Sequence, residues 1–101
     1  SQSAITQVNT LSRLGATSTS NTLGKIRQYV HGVEVLNTLN ISMYGEVGRL
    51  YEQSVFDGIY AIIDQYEANL STGQKVNESL NQLTDAVTEL STLTQAITGA
   101  T

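Results

Sequence analysis

Apolar residues recur along this chain at steps of three and four, the spacing of one face of an α-helix. Ala4, Val8 and Leu11 begin the pattern, with Ile5 and Leu14 beside them. The run Gly15-Ala16-Thr17-Ser18-Thr19-Ser20-Asn21 is small, polar and β-branched and reads as a linker. Leu23, Ile26, Val30, Val33 and Leu36 then resume the period, which continues through Leu39 or Asn40 to Met43, with Asn21 or Thr22 as cap.

Gly45 and Gly48 interrupt this stretch. Beyond them Tyr51, Val55, Ile59, Ile62, Tyr66 and Leu70 form a core stripe, and Phe56, Tyr60 and Ile63 form a second one, so that helix is either central in the bundle or packs on another subunit. Ser71-Thr72-Gly73-Gln74 has the pattern of a capping box. Val76, Leu80, Leu83, Val87, Leu90, Thr94 and Ile97 follow as a heptad seam with one polar member.

These periods predict an all-α chain with helices over 3–14, 22–43, 47–70 and 74–98 and a linker over 15–21. The three long helices have similar lengths of roughly 33–38 Å at ~1.5 Å per residue. They suit an antiparallel three-helix bundle with a short extra N-terminal helix, in one domain spanning 1–101. The alternative is a long helical hairpin completed by partner subunits, with Gly45 and Gly48 inside one continuous rod.

Composition sharpens this picture. Only 14% of residues are charged, against an average near 25%. Ser, Thr, Asn and Gln take 38 of the 101 positions, and there is no Cys, Pro or Trp. Disulfide frameworks and thiolate metal sites are excluded. Ser, Thr and Asn are mediocre helix formers, so stability must come from packed faces rather than isolated helices. The net charge is −4, which argues against a nucleic-acid surface. Arg13, Lys25, Arg27 and Arg49 against Glu34 and Glu46 leave residues 1–49 at +2; Lys75 against Glu52, Asp57, Asp64, Glu67, Glu78, Asp85 and Glu89 leaves the rest at −6. The longest apolar run, Tyr60 to Ile63, is far too short for a membrane span.

Candidate chemistry is sparse. His31 is the sole histidine and shares a helix face with Glu34. Two groups do not make a metal site, so it reads as a surface or boundary histidine. Asp57, Asp64, Glu67, Glu78, Asp85 and Glu89 fall away from the seams and read as a solvated face. Asn40, Asn69 and Asn77 stand in N-glycosylation patterns, of which chance supplies one or two in so Asn- and Ser/Thr-rich a chain; they matter only if the protein is exported from a cell that glycosylates. No metal, cofactor or catalytic residue is expected.

The expectation is therefore a non-enzymatic structural subunit that oligomerises with itself or with another helical protein. A surface with few charges suffers little repulsion when copies stack, which points to an extracellular, cell-surface or virion assembly. The contact residues expected from the wide apolar arc and the seam are Phe56, Tyr60, Ile63, Leu80, Leu83, Val87, Leu90 and Ile97. The alternative is a monomeric adaptor or chaperone that receives a partner helix in a groove.

Overall fold

The computed structural model describes residues 3–11 and 16–99. The chain is all-α. Helix α1 runs Ala4–Thr10, α2 Ala16–Tyr44, α3 Gln53–Thr72 and α4 Val76–Thr98, with a short 3-10 turn at Glu46–Gly48. Helix α3 packs on α2 and α4, and α1 packs on α2 and α4 from the other side. The three long helices run up, down and up, and α1 is the short fourth member. Arg27 of α2 meets Asp64 and Glu67 of α3, whereas Glu34 meets Gln53, which sets those two helices antiparallel.

The core follows the predicted period with shifts that have physical causes. In α2 the buried residues are Thr19, Leu23, Ile26, Val30, Val33 and Asn37. Thr19 lies one turn ahead of Leu23 and buries with it. The segment expected as linker over 15–21 is therefore helical from Ala16 onward, and neither Asn21 nor Thr22 is a cap. The first helix ends at Thr10 rather than 14; positions 12–14 and Gly15 lie outside the described residues. Ser3 caps α1, its hydroxyl accepting from the Thr6 amide at 3.2 Å.

The hairpin, not the continuous rod, is the form at Gly45 and Gly48. Gly45 has φ 76°, a left-handed backbone that ends α2 as an ordinary side chain would not. Gly48 lies so close to α2 that a Cβ would overlap the main-chain carbonyl of Asn40. These two residues delay the third helix to Gln53, instead of position 47. The long helices are accordingly unequal, with 29, 20 and 23 residues.

At the second turn, Ser71 remains inside α3 and Gly73 closes the helix at φ 73°. The capping box expected from Ser71 to Gln74 is not formed. Lys75 precedes α4 with φ 53°, a left-handed conformation for a residue with a Cβ.

Helix α3 buries Phe56, Ile59, Ile63 and Tyr66. Its core face is thus rotated from the expected 51/55/59/62/66/70 stripe toward the second one, and Val55 and Leu70 are left exposed. Helix α4 follows its seam most closely: Leu83, Val87, Leu90 and Thr94 are buried, with Ser79 and Ser91 beside them. No described helix is long and apolar enough to cross a membrane.

Candidate interaction surface

Two polar assemblies hold the helices so that certain apolar residues stay outside. The first is Asn37, buried on the inner face of α2. Its Oδ1 accepts from the amides of Leu50 at 2.7 Å and Tyr51 at 3.1 Å, and its Nδ2 donates to the Tyr51 carbonyl at 3.0 Å. One side chain thereby satisfies the backbone that enters α3. Tyr51 is fixed further by a hydroxyl contact with Thr94 at 2.9 Å and by an edge-on ring contact with Phe56 at 5.6 Å.

The second assembly is a polar seam between α2 and α3. Glu34 accepts from Gln53 at 2.9 Å and from the Tyr60 hydroxyl. The Gln53 and Tyr60 bonds hold its carboxyl below the ordinary 4.5. Burial, helped by the bond to Glu34, pushes the Tyr60 phenol up to about 12. Arg27 bridges Asp64 at 2.8 Å and Glu67 one turn further along. His31 is 71% exposed and lies 3.7 Å from Glu34. Among the described residues no cluster of three or more histidines or carboxylates could hold a metal. All six carboxylates expected on outer faces are exposed, and Asp64 and Glu67 serve the Arg27 bridge.

The expected contact residues separate into three groups. Phe56, Ile63, Leu83, Val87 and Leu90 lie in the chain's own core and present no surface. Tyr60 and Leu80 are half-buried against that core. Ile97 is 54% exposed.

The apolar surface lies elsewhere. The strongly exposed large apolar residues among those described are Val35, Leu39, Met43, Tyr44, Val47, Val55, Leu70, Leu93 and Ile97. All except Leu70 lie toward the end where α2 and α4 finish and α3 begins. At ~100° per residue, Val35, Leu39 and Met43 fall on the side of α2 opposite its buried row. They form a ridge four residues apart. Leu39 and Met43 are thus outward, not the continuation of the core stripe that spacing suggested. On the other side of the molecule Tyr51, Val55, Ile59, Ala86, Leu90 and Leu93, with Glu89 as the one charged member, line an open groove of about 320 Å³ between α3 and α4.

Sequence reasoning missed both Asn37 and this ridge. The signal for Asn37 was its position four residues after Val33 on the inner row. The signal for the ridge was the repeat Val35, Leu39, Met43 out of phase with Val33 and Leu36. Comparison of the chain with protein-family models, with curated proteins and with solved structures finds no match.

Proposed function

We propose that this chain is a non-enzymatic structural subunit that assembles through the apolar residues left on its helix surfaces. The carrying observation is the position of those residues along the bundle: eight of the nine lie toward one end, on more than one side of it. Scattered exposed apolar residues are ordinary; a concentration of large ones marks a contact surface. The low charge and the polar, Lys-poor covering of the remaining surface support the same reading, because stacked copies would repel weakly. The setting we infer is an exported or viral assembly, of the kind formed by pilus, secretion-filament, phage or coat subunits.

The α3–α4 groove favours a second reading, an adaptor that takes an apolar side chain or helix of a different protein. Sedimentation over a concentration series separates the two. Assembly predicts a mass that rises with concentration. The adaptor predicts a constant monomer that binds an environment-sensitive dye and releases it to a partner.

A further inference from the structure

We propose that α1 is a strap that lifts from α2 and α4 as one piece while the three long helices stay folded. This goes beyond the assembly reading and applies to the single chain. Helix α1 has seven residues, against 29, 20 and 23 for the long helices. A helix of that length is not stable by itself, since isolated helices need about 12–15 residues. Its sequence, Ala-Ile-Thr-Gln-Val-Asn-Thr, holds mostly weak helix formers. No acidic residue stands in its first turn and no basic one in its last, so no charge supports its dipole.

One short row holds α1 down. Ala4 and Val8, with Leu11 just past the helix, are buried in the core. Without a charged residue, α1 forms no ion pair. The long helices are fastened to one another more firmly. Arg27 joins α2 to Asp64 and Glu67 of α3, and Glu34 joins it to Gln53 and Tyr60. Asn37 secures the turn between them, and the Tyr51 hydroxyl meets Thr94 of α4. One flank of α1 is also loosely packed. Ile5 and Asn9 border an open cleft of about 570 Å³ against Thr88 and Leu93 of α4. Elements with few buried apolar contacts are the ones that open first.

The bonds at the ends of α1 are local and do not anchor it. The Ser3 hydroxyl accepts from the Thr6 amide, and the Ser3 carbonyl accepts from the Gln7 amide at 3.0 Å. The Thr10 hydroxyl donates to the Gln7 carbonyl at 2.8 Å. Lifting the strap breaks none of these bonds to α2 or α4, because none of them reaches those helices. Opening uncovers the apolar row between α2 and α4 on which α1 sits. The closed chain hides this seat and the open chain presents it. It is a conditional apolar face, distinct from the residues exposed at the end of the bundle. Its present occupant defines what fits it: alanine, valine and leucine at steps of four and three.

Amide hydrogen exchange of the unmodified chain, followed by NMR across a urea series, tests this. The Val8 and Leu11 amides are expected to open roughly 100-fold more often than those of Val87 and Leu90. Their opening should depend little on urea, because lifting seven residues exposes little surface, whereas Val87 and Leu90 follow the steep slope of global unfolding. The chain has no cysteine, so Val8→Cys and Val87→Cys, made separately, each carry a single thiol. The Val8→Cys thiol is expected to be labelled roughly 100-fold faster than the Val87→Cys thiol. Equal opening of the two helices with one urea slope would overturn the proposal, since α1 would then belong to a single cooperative unit. Val8 and Leu11 amides that exchange at the rate of an unfolded peptide would also overturn it, because no closed strap would exist. Neither result depends on oligomeric state, so the assembly reading stands or falls separately on mass.

Discussion

Asn37 places a carboxamide on the inner face of α2, where the apolar period would otherwise set an aliphatic side chain. It is 4% exposed and makes three bonds to the backbone entering α3. Asn37→Leu keeps the branched outline in a bulkier side chain but strands the amides of Leu50 and Tyr51 and the Tyr51 carbonyl. It is expected to cost about 3 kcal/mol in urea unfolding. Glu34 and Tyr60 give the chain two pH limits. The Glu34 carboxyl is held low by its bonds, so its stabilisation is complete above the ordinary 4.5 and is lost as pH falls through its depressed value. The Tyr60 phenol is raised to about 12, so its contribution is complete below 10 and is lost as pH rises from 10 toward 12. Tyr60→Phe is therefore expected to flatten the alkaline limb of a Tm-against-pH curve, and Glu34→Gln the acid limb. Neither role was legible beforehand. Tyr60 stood out only as an apolar residue off the main stripe, and Glu34 only as a neighbour of His31. What decides both is the crossing of α2 and α3, which periodicity within one helix does not contain.

The helices differ in how plainly they were written. The α4 seam was legible because its apolar residues keep one heptad phase from Leu80 to Leu90, with Thr94 as the polar member that meets Tyr51. Helix α3 was harder: Val55, Ile59 and Ile62 and the Phe56, Tyr60, Ile63 set both have helical period, and the choice depends on where α2 and α4 stand. The start of α2 was hidden by Thr17 to Ser20, weak helix formers that hold because Thr19 buries and the helix packs. The turns carry their own predictions. Gly48→Ala puts a methyl into the Asn40 carbonyl and is expected to cost about 1–3 kcal/mol. Lys75→Gly relieves a left-handed φ of 53° and is expected to stabilise by up to about 1 kcal/mol in thermal unfolding.

For the molecule as a whole, the missing charge and the apolar end belong together. A chain that buries Phe56, Ile63, Leu83 and Val87 inside itself has not spent all its apolar residues. Leu39, Met43, Tyr44 and Val47 remain outside at one end, on a surface otherwise dressed in Ser, Thr, Asn and Gln. That end is the contact surface we assign. The expected contact set taken from sequence named largely interior residues, because a wide apolar arc in one helix looks the same whether its second neighbour is another helix of the chain or another chain. The most direct test compares light-scattering masses of Leu39→Lys and Leu70→Lys with the unmodified chain at high concentration. Both sites are exposed, at opposite ends of the bundle. Assembly through the apolar end predicts that Leu39→Lys falls back to the 10.9 kDa monomer while Leu70→Lys keeps the higher mass. Equal masses for the two variants, or an unmodified chain that stays at 10.9 kDa, would contradict it.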